Sequence, residues 1–158
     1  MRILVRESER QKVDILKTVP ILRELTIREI LEVIPLMHER VYEKGEIVFE
    51  EGDQGHGIFV VLTGSVRAES KREPLKAMAV EIGPGEIIGE LSLFDEGPRM
   101  GTVTAINRTY LVALFQGEFY SLLSKDRNLG AKVLLEIART LSRRARGLLQ
   151  QERHAPSL

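Results

Sequence analysis

Between Val41 and Leu114 the apolar residues come in short alternating runs, cut apart by Gly45, Gly52, Gly64, Gly83 and Gly97. Alternation puts every second side chain on one face, as a half-buried strand requires. Glycine supplies the tight turns that join antiparallel neighbours. The pattern therefore predicts a small antiparallel barrel or roll. Its strands are expected at Val41–Tyr42, Ile47–Phe49, Ile58–Leu62, Val66–Glu69, Lys76–Ile82, Thr102–Ala105 and Thr109–Phe115.

Helical spacing frames this segment on both sides. From Val13 to Met37 the apolar residues recur at steps of three and four, interrupted by Pro20, and Thr26 with Glu29 forms a capping-box signal. After Gly117 two helices are expected, Phe119–Leu123 and a long one from Leu129 to Gln151, in which Leu134, Ile137, Leu141, Ala145 and Leu148 make one apolar stripe. The fold class is α+β, mainly β: an antiparallel β-roll or jelly-roll barrel with N-terminal helices and a long C-terminal helix. The organisation reads as a helical hook over 1–40, a roll over 41–116, C-terminal helices over 117–152 and a frayed tail over 153–158.

Composition narrows the function. At 158 residues the chain fits one domain. Lys plus Arg and Asp plus Glu are 23 each, so no global charge draws it to nucleic acid or an anionic membrane. The absence of cysteine removes disulfides, thiolate nucleophiles and Cys-based metal sites. The N-terminus lacks the apolar core of a signal peptide and no apolar run is long enough to span a bilayer, so a cytoplasmic protein is expected.

The chemistry concentrates in Gly89 to Thr102, GELSLFDEGPRMGT. Gly89 allows close backbone approach, Glu90 accepts from hydroxyls, Leu91, Leu93 and Phe94 bury a short turn, and Pro98 presets the backbone before Arg99. An arginine fork meets two phosphate oxygens at once. An isolated acid and arginine at this spacing are equally well read as a surface ion pair.

The run Gly89, Glu90, Leu91, Ser92, Leu93, then Gly97, Pro98, Arg99 and Thr102, resembles the phosphate-binding cassette (89–102) of the cyclic-nucleotide-binding domain family, the sensor module of catabolite activators and protein kinase A regulatory subunits. Further matches are VPILRELT at Val19–Thr26, similar to the family's N-terminal helical hook, and Gly45, the EEGD run of Glu50–Asp53, Gly57 and the TGSV run of Thr63–Val66, similar to its barrel turns. The resemblance implies that Arg99 meets a phosphate and Glu90 a ribose, with backbone amides near Gly89, Leu91 and Met100 as further donors and Gly101 beside them in the ligand site. It implies a base wall drawn from Val66, Ala68, Val80 and Ile82, of which about half face inward, and a lid from the C-terminal helix, where Leu141 and Arg144 share a face. The family often has threonine after the arginine when it prefers cGMP. Here the position is Met100, which cannot donate a hydrogen bond, so cAMP is the expected ligand, with cGMP open. A Met100 side chain turned inward would instead crowd the base and leave a degenerate domain acting as a protein-interaction module.

Two rivals are weaker. A metal-dependent oxygenase needs converging imidazoles, and His38, His56 and His154 are far apart. A catabolite-activator-type regulator needs a recognition helix after the long helix, which is not found before the chain stops, and the basic stretch Arg139 to Arg146 lacks aromatic interleaving. The expectation is a sensor and not an enzyme, with no cofactor beyond its ligand, no nucleic-acid partner, a C-terminal helix that moves on binding, and a homodimer formed through that helix.

Overall fold

The structure, a computed structural model, describes the backbone of residues 2–73 and 79–154 and the side chains of 10–73 and 79–150. Its elements are α1 (Arg2–Thr18), α2 (Ile27–Val33), β1 (His38–Tyr42), β2 (Ile47–Phe49), β3 (Gly57–Thr63), β4 (Val66–Glu69), β5 (Val80–Ile82), β6 (Ile87–Ile88), β7 (Thr102–Ala105), β8 (Thr109–Phe115), α3 (Gln116–Lys125) and α4 (Arg127–His154). The strands form two four-stranded antiparallel sheets, ordered β1-β8-β3-β6 and β2-β7-β4-β5. The fold is the expected α+β roll.

The central strands explain the layering. In β3 every residue from Gly57 to Leu62 is buried, because alternate side chains serve two cores. Phe59 and Val61 join Ile88, Leu111 and Ala113 to meet Val66, Ile82 and Val103 of the other sheet. Ile58, Val60 and Leu62 point the opposite way, into a second core with Leu16, Val19, Ile30, Phe119, Val133 and Ile137 from the helices. The helices therefore cover one face of the roll. Thr26 caps α2 reciprocally with Glu29, as its spacing predicts.

Several boundaries differ from the sequence reading. Helix α1 already begins at Arg2, and β1 starts at His38, inside the stretch assigned to the hook. Strand β5 covers only Val80–Ile82, and residues 76–78 of the expected strand lie outside the described residues. The two-residue strand β6 was not expected, since a run that short between glycines reads as loop. Left-handed backbone falls on Gly85 and Gly89 in place of Gly83 and Gly97. At Gly97 the N–H donates to Asp95 Oδ1 at 3.2 Å, so an Asx-type turn does the reversal without positive φ. Helix α4 continues through 153 and 154, and the rest of the expected tail lies outside the described residues.

Candidate ligand site

The cassette starts where β6 ends. Gly89 adopts φ +76°, and Glu90–Leu93 follow as a 3₁₀ turn. A Cβ on Gly89 would stand 2.2 Å from Arg99 Nη1, so the position requires glycine for space as well as conformation. Leu93 and Phe94 anchor the turn in the helix-side core, with Phe94 edge-on to Phe119 of α3 at 5.8 Å. Leu91 departs from expectation: it is exposed at the cavity rim, while Ser92 takes the buried position.

Arg99 is held from two sides. Its backbone N–H donates to Asp53 O at 2.8 Å, and its carbonyl accepts from the Gly52 N–H at 2.9 Å. The EEGD turn, read from sequence as purely structural, is thus the clamp that aims the arginine. Gly55 completes it, because a Cβ there would collide with the Ser92 side chain at 2.1 Å. The Arg99 side chain is only 6% exposed and donates from Nη1 to Gly57 O at 3.0 Å and Gly89 O at 3.1 Å. Among the described residues no carboxylate is in ion-pair contact with it; Asp53 and Glu90 act at longer range. Burial pulls its pKa down and those two acids push it back up, but a guanidinium stays charged at any working pH.

Glu90 is 7% exposed and pairs with Arg144 of α4, whose Nη2 also donates to Ile87 O at 2.8 Å. Arg144 therefore ties α4 to the cassette through a side chain that is part exposed. Arg99, Glu90 and Arg144 are the charged residues lining a cavity of about 200 Å³, which so carries one positive charge in excess. A groove of about 460 Å³ continues from it, sharing Ala68, Ile82, Met100, Gly101 and Arg144 as walls. Together they reach the range of small-molecule sites, about 300 Å³ and upward.

The remaining expectations divide. Val66 and Ile82 are buried, Ala68 lines both spaces and Val80 lines the groove from an exposed position. Gly101 permits β7 to pass close to β4, since a Cβ would meet Glu69 O at 2.8 Å. Met100 is 50% exposed at the junction of cavity and groove, so it borders the space without filling it. Leu141 packs against the helix-side core and lines neither space. Leu148, 41% exposed one turn beyond Arg144, lines the groove in its place. Its i+4 relation to Arg144 was the available signal. Among the described residues no cluster of His, Cys, Asp or Glu suits a metal ion, and no helix is long and apolar enough to cross a membrane.

A sequence profile described as the cyclic nucleotide-binding domain matches residues 39–126, more than half of the chain. The chain belongs to the cyclic nucleotide-binding domain family. It is 32% identical over 111 residues to the cyclic AMP receptor protein of Thermus thermophilus, covering 70% of this chain and 51% of that protein. Among solved structures it is similar to the N-terminal domain of a transcriptional regulator from Streptomyces coelicolor A3(2), at 32% identity and TM-score 0.72, covering 82% of this chain and 93% of the other. It is also similar to a structure described as cAMP-bound PfPKA-R (141-441), at 29% identity and TM-score 0.65, covering 85% of this chain and 49% of that one. The chain spans about half the length of the Thermus relative, so that protein's full activity is not carried over with the domain.

Proposed function

We propose that this domain is a non-catalytic cyclic-nucleotide sensor, with cAMP as the preferred ligand. The observation that carries the reading is Arg99: a buried cation without a carboxylate in contact, in a cavity with one excess positive charge. Such a group favours an anion of one negative charge, which a cyclic phosphate is. Two of the similar proteins, the cyclic AMP receptor protein of Thermus thermophilus and cAMP-bound PfPKA-R (141-441), favour the same ligand.

In this reading the phosphate meets Arg99 at Nε and Nη2, which make no hydrogen bond among the described residues. The ribose reaches Glu90, and the base enters the apolar groove between Ala68, Ile82 and Leu148. Met100 at the groove mouth offers no donor to a guanine, which favours adenine.

The output follows from Glu90 having a partner already. A ribose hydroxyl entering the cavity competes with Arg144 or adds to it, and either changes what holds α4. The first half of α4 is fixed in the core through Leu129, Val133 and Ile137, whereas nearly every residue from Ser142 to Gln150 is exposed. The movement is thus assigned to the segment beyond Leu141. The shift equals the ligand's differential affinity for the two positions. Exposed Leu134, Leu135, Leu148 and Leu149 make α4 the surface offered to a partner, a second copy being the simplest. Calorimetric titration with cAMP, cGMP and AMP tests the reading: saturable binding, tightest for cAMP, supports it, and no binding of either cyclic nucleotide below about millimolar contradicts it.

A further inference from the structure

Arg99 faces a problem that most buried arginines solve with an acid. Its guanidinium has to be held in one orientation, yet a carboxylate in contact would cancel the charge and compete with any anionic ligand. Here the Gly57 and Gly89 carbonyls accept from one nitrogen, and the groups against the guanidinium are aromatic. Arg99 Cζ lies 4.2 Å from the centre of the Phe49 ring and 5.7 Å from that of Phe59, the two rings being 5.8 Å apart. A ring face attracts a cation through its quadrupole without neutralising it, and the attraction grows once water is removed.

The chain departs from regular pairing to bring Phe49 there. In β2, Ile47 pairs with Thr104, so Phe49 would regularly fall opposite Thr102. It stands opposite Val103 instead, because one extra residue sits in β2. Alternation would turn only one of Val48 and Phe49 inward, yet both pack against the core between the sheets. Val48 can then fill that core while Phe49 also lines the ligand cavity. Bulges re-aim side chains in this way beside functional sites.

We propose that Phe49 is a positioning residue for anion recognition, holding the Arg99 guanidinium through its ring face so that orientation is fixed while the positive charge stays available to the ligand. The proposal rests on Arg99 as the phosphate-binding group, and it adds a residue from β2 to the groups that hold Arg99 from the cassette, the EEGD turn and β3.

The test compares Phe49→Leu, which keeps bulk but removes the ring, with Phe49→Tyr, which keeps the ring. In calorimetric titration with cAMP, Phe49→Leu is expected to lose about tenfold in affinity, and Phe49→Tyr to stay within about twofold of the parent. In an Arg99→Ala background, Phe49→Leu should cost nothing further. NMR of the ligand-free protein should show the Arg99 Hε resonance shifted upfield by the ring, a shift lost in Phe49→Leu and kept in Phe49→Tyr. A folded Phe49→Leu that binds as the parent does, or a Phe49→Tyr as weak as Phe49→Leu, overturns the proposal. If Phe49→Leu does not fold, an unshifted Hε in the parent overturns it. A parent that shows the shift but binds no cAMP places the failure in the ligand assignment, and the phosphate role of Phe49 falls with it.

Discussion

Arg144 of α4 and Glu90 of the cassette form an ion pair across 54 residues of sequence, joining the output helix to the group assigned to the ribose. Glu90 is almost fully buried while the Arg144 side chain is 42% exposed, so the pair is buried at its acid end and open to water at its arginine end. Removing the cation strands a buried carboxylate, and replacing both partners does not. Arg144→Met should therefore lower stability by about 1 kcal/mol in urea unfolding, a value kept small by the exposure of Arg144. Adding Glu90→Gln to it should recover part of that loss. Hydrogen exchange in 142–150 should accelerate in both, while 129–141 stays protected.

Arg99→Ala should weaken cAMP binding at least tenfold, since a charge-assisted hydrogen bond contributes about 1.5–3 kcal/mol. Arg99→Lys should restore only part of it, because an ammonium lacks the planar fork that also reaches Gly57 O and Gly89 O. Full affinity in either variant, read by the same titration, would remove the assigned contact.

Gly89→Ala combines two faults. The added methyl needs a left-handed backbone, which costs about 1 kcal/mol, and it lands where Arg99 Nη1 sits. The variant should be modestly destabilised and bind cAMP far more weakly than its stability loss alone explains. The comparison is between its thermal midpoint and its titration.

Glu136 makes a further polar contact between α4 and the rest of the chain. It is fully buried, pairs with Arg139, and has Arg23 Nη2 3.5 Å from an Oε2 that accepts no hydrogen bond among the described residues. Arg23 follows the Pro20–Leu22 turn, so the pair fastens α4 to the N-terminal segment. Arg23→Ala should destabilise by about 1–2 kcal/mol, discounted for the half-exposed arginine, whereas Glu136→Met should be near neutral or stabilising. Urea midpoints decide between these signs.

Acid should loosen the same helix layer. Lys132 beside Glu29, with the Thr26 N–H, holds the Glu29 carboxyl below its ordinary value of 4.5. His38 does the same for Glu118, again with help from a backbone N–H. A carboxyl whose folded pKa is depressed contributes stability that is present above the unfolded value and lost as pH falls through the folded one. Stability should thus decline below about pH 4.5, and Lys132→Met should make that decline shallower. An unchanged acid limb in the variant would remove the Glu29 contribution.

The sequence carried the roll and the cassette because both depend on local rules, alternation cut by glycines and a fixed run of residues around Arg99. Tertiary partners were less legible. The resemblance offered Arg144 only as part of a lid, because periodicity places a residue on a face without saying that Ile87 O and Glu90 lie opposite. Leu141 and Leu148 occupy one stripe, and only the docking of α4 sends the first to the core and the second to the groove. The EEGD turn looked like a plain reversal because its work is done by backbone groups, Asp53 O and the Gly52 N–H, which no residue identity reveals. Phe49 was hidden for a similar reason: a bulge breaks the alternation that sequence reading assumes.

The central claim is that buried Arg99 and its excess positive charge constitute a cyclic-nucleotide site. Calorimetric titration of the parent and of Arg99→Ala with cAMP tests it most directly. The account predicts saturable binding by the parent and a loss of at least tenfold in the variant; equal titration curves, or no binding by a folded parent below about millimolar, would contradict it.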